Sequence, residues 1–233
     1  MPSIIMTVHN VFPRPEILDM TRRCVESLRA NTNGGYELIL QNNGSHDSGE
    51  AGLLLIELIK PFPSARIMTF AKNEPVGRCW NQGIELASDD IIVIVNNDII
   101  FNNAGWINRL TEPLYRPATG LAGSKMIQWN GFEFLEGAFL AFDRKNLESV
   151  KESGKLFDEQ FQFSCEDADL CQRVKHANKW LVVTDVEASG LATHLHHGTL
   201  CWTNEEDLHI LDIMHESRKK LCRKYGKAER VDD

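Results

Sequence analysis

The sequence predicts an α/β fold in a single domain, with a mostly parallel central sheet flanked by helices. Two patterns carry that expectation. Apolar, strand-like runs alternate with helix-period segments through the first half of the chain, the pattern of parallel βαβ units with right-handed crossovers. Each run also ends in polar side chains, at the edge where open α/β sheets place their ligands.

The elements follow in order. "SIIMTV" is the first strand. Pro15 suits a first helical turn, and Ile17, Leu18, Thr21, Cys24, Val25 and Leu28 then recur at helical spacing until Asn33-Gly34-Gly35. "YELILQ" is the second strand, followed by the turn "NNGS". Asp47 and Glu50 read as a capping pair for the helix "EAGLLLIELIK", which Pro61 and Pro63 close. "RIMTF" is a third strand, residues 75–87 a helix, and "IIVIV" a fourth strand. Beyond it, Trp106 to Tyr115 reads as a helix. "GLAGSKMI" and "FLEGAFLAF" read as strands, the latter with Gly137 where something approaches closely. Glu166 to Ala177 is a helix and "KWLVVTD" a strand. Residues 205–225 form a last helix, with Leu208, Leu211, Met214, Leu221 and Tyr225 as its apolar stripe. The expected division is a main domain over 1–203 and a C-terminal helix with a basic tail over 204–233, on the same body.

Composition excludes several classes. With 25 Lys and Arg against 33 Asp and Glu, the net charge of −8 argues against bulk nucleic-acid binding. No apolar run reaches the roughly 18 residues of a membrane span, and the N-terminus lacks signal-peptide character. The six cysteines form no CxxC and read as reduced thiols, which points to a cytoplasmic protein. Against this acidic background, Arg218, Lys219, Lys220, Arg223, Lys224, Lys227 and Arg230 make a basic run. It is either a solvated helix face or a docking surface for an anionic acceptor or membrane.

Neither GxxxxGK[ST] nor GxGxxG occurs. What the strand ends carry is Asn10, Asn42 and Asn43, Asn73, and Asn96-Asn97-Asp98. A lone Asp at the end of a core strand would repel a bare diphosphate. With a divalent cation between them the sign reverses, since magnesium and manganese bridge carboxylates to phosphate. Glu166, Asp167 and Asp169 crowd the start of a helix. They either offset its dipole, or, through mutual repulsion and partial burial, hold one carboxylate in the range of a general base. "THLHHGT" brings His194, His196 and His197 together, as a polar loop or as a source of metal ligands.

Taken together these motifs resemble the GT-A-fold (Rossmann-like) glycosyltransferases of family 2, with their rhamnosyltransferase-like members. The likeness runs from about Ile4 to about Thr199. "YELILQNNGSHD" is similar to the family's second strand and turn, and "KNEPVGRCWNQGIELASDDIIVIVNND" to the segment ending in the metal-binding DxD. "FDEQFQFSCEDADLCQRV" is similar to the acceptor-side acidic signature, and "HLHHGT" to a later His-x-Gly element.

The resemblance implies transfer of a hexosyl or deoxyhexosyl group from a nucleotide-diphosphate sugar to a glycan or other hydroxyl acceptor, with inversion. Residue by residue it implies Asp98 and His196 as ligands of Mn2+ or Mg2+. Asp167 would be the base, with Glu166 beside it. Thr7, His9, Asn10, Asn42, Asn73, Arg78, Asn81, Asn96 and Asn97 would line the donor cleft, and Gly137 and Asp169 the acceptor side. The first acid of DxD is Asn96 here, and Asn42 stands where the family often has Asp. The implied donor is a UDP-sugar ahead of GDP- or dTDP-sugars. The alternatives are a nucleotidyltransferase, and a non-catalytic module that binds nucleotide sugars or carbohydrate.

Overall fold

Parallel strands buried on both faces need helices above and below, and the computed structural model has that architecture. It describes residues 1–9, 14–45, 48–195 and 208–229. Asn10, Asp47, His196, His197 and Arg230 lie outside the described residues. The first strand, β1 (Ser3–Val8), is buried at every position but Thr7. Helix α1 (Pro15–Ala30) has Pro at its start and buries Ile17, Met20, Thr21, Cys24, Val25 and Leu28. Then follow β2 (Glu37–Asn43), α2 (Ser48–Ile59), β3 (Ala65–Phe70), α3 (Val76–Leu86), β4 (Ile91–Asn96) and β5 (Ile99–Phe101).

Seven strands form the central sheet, in the order β10-β6-β9-β4-β1-β2-β3. Strands β2 and β4 pair parallel to β1, and β3 parallel to β2. In register, Thr7 faces Gln41 on one side and Asn96 on the other, and Val8 faces Asn42. The polar residues at these strand ends therefore share one edge. On its other side β4 pairs with β9 (Phe139–Asp143), which runs antiparallel to β4 and to β6 (Thr119–Gly123). Strand β10 (Trp180–Val183) pairs parallel to β6. One apolar cluster lies under α1, α2 and α4 (Trp106–Thr111), the other under α3 and α5 (Glu166–His176).

Four expectations are corrected. "GLAGSKMI" is not one strand. It divides into β6 and β7 (Met126–Trp129), which pairs with β8 (Phe132–Leu135) in a separate hairpin. "FLEGAFLAF" divides likewise into β8 and β9, broken at Glu136-Gly137-Ala138. The helix from Trp106 ends at Thr111 and continues as a 3-10 turn, Glu112–Tyr115, because Pro113 has no N–H for an α-helical bond. The last helix, α6 (Leu208–Lys224), leaves Leu211 59% exposed. Of the expected stripe it buries Leu221 and packs Tyr225 beside it, and it buries Ser217 and Cys222 as well, since it docks by its C-terminal half onto Phe132, Phe161 and Ala168.

Among the described residues no helix is long and apolar enough to cross a membrane. The five described cysteines are free and buried.

Candidate active site

The edge expected to take the donor is a set of loops tied by amides. Asn43 Nδ2 donates to Asn73 Oδ1 (3.0 Å) and to the Glu74 carbonyl (2.9 Å), and Asn43 Oδ1 accepts from the Glu74 amide (2.9 Å). This close approach requires Gly44. Its φ is +64°, and a Cβ there would fall 2.1 Å from the backbone of Lys72 and Asn73. Asn42 is fully buried, and its Oδ1 accepts from Ser45 Oγ at 2.6 Å. Thr7 Oγ1 donates to Gln41 Oε1 (2.8 Å), and His9 Nδ1 lies 2.5 Å from the Asn43 carbonyl oxygen. Asn73 and Arg78 are exposed at the mouth, with Arg78 paired to Glu74 at 3.0 Å.

Two of the residues expected to line the donor cleft instead hold the scaffold. Asn81 is buried, with Oδ1 accepting from the Phe157 amide (2.9 Å) and Nδ2 donating to the Phe157 carbonyl (2.8 Å) and Glu159 (3.0 Å). Asn97 Nδ2 donates to Thr21 Oγ1 on α1 at 2.9 Å. Each spends its amide on fixing a loop.

At the end of β4, Asn96 donates its amide to the Ala138 carbonyl at 3.1 Å. Asp98 is 2% exposed, and its Oδ1 accepts no hydrogen bond. Strand β11 (Ala192–His194) pairs antiparallel with β5, His194 opposite Ile99, and sets His194 Nε2 3.2 Å from Asp98 Oδ1. The other ring nitrogen lies 3.9 Å from Glu136 Oε2, which is buried and also accepts no hydrogen bond. Burial alone would lower the His194 pKa. The carboxylates of Asp98, Glu136 and Glu187 outweigh it and raise it.

A buried carboxylate oxygen without a donor is costly, and a cation removes that cost. Aspartate and imidazole are ligands for manganese, and a histidine whose second nitrogen faces a carboxylate is the usual supported ligand. The residues present therefore fit a divalent cation, with Asp98 and His194 to hold it and Glu136 to orient the ring. Sequence reasoning grouped His194 with His196 and His197 and chose His196, which lies outside the described residues; it passed over Glu136. The available signal was the alternation that puts His194 on a strand.

Glu166 and Asp167 open α5. The turn before them uses two successive left-handed residues, Ser164 (φ 65°) and Cys165 (φ 74°), a strained entry held by its surroundings. Asp167 Oδ2 accepts from the Gly137 amide at 2.9 Å, and Oδ1 from the Ala168 amide at 2.7 Å. A Cβ at Gly137 would crowd the site, lying 3.1 Å from Trp80 and 3.2 Å from Asp167 Oδ2. Glu166 is 6% exposed, and its Oε2 accepts no hydrogen bond. Burial raises the pKa of both carboxyls. Repulsion from Asp167 adds to it for Glu166, and repulsion from Glu136 for Asp167, whose amide donors partly offset the rise.

Three consecutive residues thus touch every part of the site: Glu136 faces His194, Gly137 donates to Asp167, and Ala138 accepts from Asn96.

Asp169, expected on the acceptor side, is fully buried and turned toward α6. It pairs with Arg173 (2.9 Å), Lys224 (2.8 Å) and Tyr225 Oη (3.0 Å). Glu152, Asp158 and Asp169 converge closely enough for a metal, but the Lys224 ammonium occupies their centre, 2.9 Å from Asp158. The other described cations of the basic run are also engaged. Arg218 lies over Trp129, Lys219 pairs with Glu216 and Arg223 with Glu229. Lys220 donates to the Gln160 carbonyl, and Lys227 reaches the Gly131 carbonyl and the Phe132 ring. Each of these cations has a partner within the chain.

The family model described as glycosyl transferase family 2 matches residues 3–160. No curated protein matches the sequence. Among solved structures, one similar fold is the mannosyltransferase PcManGT from Pyrobaculum calidifontis in complex with GDP-Man and Mn2+. Its TM-score is 0.66 at 12% identity, over 95% of this chain and 64% of that one. Another is GalNAc-T7 with UDP, GalNAc and Mn2+, with a TM-score of 0.66 at 13% identity, over 79% of this chain and 42% of that one. The chain therefore spans less than two thirds of either neighbour, and at these identities the likeness is one of fold.

Proposed function

Because the chain belongs to glycosyl transferase family 2, we propose that it moves a hexosyl or deoxyhexosyl group from a nucleoside-diphosphate sugar to an acceptor hydroxyl, with inversion and with a divalent cation. The observation that supports this reading is the Glu136-Gly137-Ala138 bridge. It joins Asp98 at the end of β4 and His194 on β11 to the Asp167 carboxylate on α5.

Asp98 and His194 would hold the cation, which when bound neutralises the leaving diphosphate. The neighbours are complexes with Mn2+, and an imidazole in the donor set puts manganese ahead of magnesium, which prefers oxygen alone. Asp167 takes the proton of the acceptor hydroxyl. The acceptor oxygen forms its bond to the anomeric carbon as the bond to the diphosphate oxygen breaks, and attack from the opposite face inverts that centre. The Gly137 and Ala168 amides hold Asp167 ionised and aimed, while Asn43 and Asn73 shape the donor mouth. One neighbour carries GDP-Man and the other UDP, so UDP-sugars and then GDP- and dTDP-sugars are the donors to test. In this reading α6 belongs to the same functional unit and serves the acceptor side by fixing α5. A cytoplasmic setting is part of the proposal, supported by the reduced-cysteine composition.

The test separates two roles. Asp98→Asn weakens manganese-dependent donor binding in calorimetric titration. Asp167→Asn leaves that binding nearly intact, and single-turnover transfer falls by roughly 10²–10⁴. Near-normal transfer by Asp167→Asn would remove the base assignment and favour a binding module.

A further inference from the structure

A cavity of about 550 Å³ opens on the side of the sheet that carries α4, away from α3 and α5. Its walls are α4 with the following 3-10 turn, and the segment between β10 and β11. None of its lining residues belongs to the candidate active site. Its size is that of a small-ligand site.

The lining has a specific chemistry. Tyr115 is 81% exposed, the most exposed large hydrophobic side chain described. It is not on a loose loop, for it closes the 3-10 turn that begins at Pro113, and the Arg116 amide bonds back to the Pro113 carbonyl at 3.1 Å. The turn fixes the backbone that carries the ring at the cavity. In the same lining, Arg109 and Asp185 form a two-pronged pair through Nε and Nη2. That pairing pre-aligns both groups and leaves lone pairs on Asp185 free to accept further bonds. The Asn108 side chain makes no hydrogen bond among the described residues, and Ser189 Oγ is tied to the Asp185 carbonyl at 2.6 Å.

Charge narrows the ligand class. The one cation, Arg109, faces two acids, Asp185 and, at 3.8 Å, Glu112. Phosphates and acidic sugars are disfavoured there. An aromatic face beside a carboxylate, a guanidinium and an amide matches a neutral sugar ring. Its C–H face can lie on the aromatic ring, and its adjacent hydroxyls can donate to the carboxylate and accept from the amide and guanidinium.

We propose that this cavity is a second, non-catalytic saccharide site, which holds a neutral stretch of glycan while another part of the glycan occupies the active site. The inference rests on the glycosyltransferase reading, in which a glycan is substrate and product. Its own test is binding alone. Saturation-transfer NMR on the full chain would use maltotriose, cellotriose and N,N′-diacetylchitobiose, with sialyllactose as the anionic control. At least one neutral oligosaccharide should show transfer, and Tyr115→Ala should weaken it by about tenfold. Asp98→Asn should leave it unchanged, and the anionic control should show none. Tyr115→Ala should also keep the parent's melting temperature and its hydrolysis of sugar nucleotides. No transfer from any neutral probe, transfer unaffected by Tyr115→Ala, or transfer abolished by Asp98→Asn would each overturn the proposal. Failure of donor hydrolysis in the parent would instead count against the glycosyltransferase reading.

Discussion

Glu166 is nine-tenths buried beside a second carboxylate, and no donor reaches its Oε2. Ionising it costs more in the folded chain than in the unfolded one, so its pKa is raised on folding. Asp167 shares the burial but has two amide donors, and so is the member of the pair better able to carry the charge. The sign of the effect on stability follows. Above the ordinary carboxylate range, near pH 4, the folded state holds more protons than the unfolded state, so stability falls as pH rises through the raised value. Glu166→Gln keeps the shape and removes that penalty. It should be more stable than the parent at about pH 8, with the advantage gone at about pH 4. Denaturant melts at the two pH values measure this. An equal difference at both would mean that Glu166 is not the strained acid.

At the scale of elements, α5 and α6 are joined by ions as well as by the apolar cluster of Ala168, Leu221 and Cys222. Lys224 sits among Glu152, Asp158 and Asp169, and Arg173 takes the other side of Asp169. Replacing Lys224 by Met leaves Asp169 fully buried with Arg173 and Tyr225 as remaining partners. The cost should be about 2–3 kcal/mol, less than the roughly 3–5 kcal/mol of an orphaned buried ion. That corresponds to a fall of about 4–12 °C in Tm for a chain of this size. A melt within about 1 °C of the parent would show that Arg173 and Tyr225 satisfy Asp169 without Lys224.

Part of this arrangement was legible in advance. Residues two apart on a helix do not share a face, so Asp169 could not point with Asp167, and Arg173 stands four residues on as its natural partner. Lys224 was not legible, because its partners are brought to it by tertiary packing. The four strands of the first half, β1 to β4, each proved continuous, and each is bounded by helices or turn residues at both ends. "FLEGAFLAF" misled because a hairpin strand and a sheet strand have the same alternation, and only Gly137 marks the break.

At the scale of the whole molecule, the shared edge of the parallel strands could be read from their order, since right-handed crossovers force it. The direction of β9 could not, because periodicity carries no direction. Yet its antiparallel course is what returns residues 136–138 to that edge, between the strand-end aspartate and the helix-borne carboxylate. A site assembled from β4, β9, β11 and α5 should respond to donor and cation as one unit. With manganese present, a donor at about 100 times its Kd should stabilise the fold by about 2.7 kcal/mol. The expected rise in Tm is about 5–11 °C. Chelator should abolish it, and a shift that survives chelation would show that the cation is not needed for donor binding.

The placement of Lys224 also sets an order of assembly on the ribosome. A chain is made from its N-terminus, and its earlier segments are available to fold first. Strands β1, β2 and β4, with the loops that surround the donor edge, are all translated before α5. Lys224 lies almost fifty residues beyond α5 in the chain and is translated later still. A nascent chain can therefore assemble the β1, β2 and β4 strand ends while the helix that bears Asp167 still lacks one of its two counter-ions.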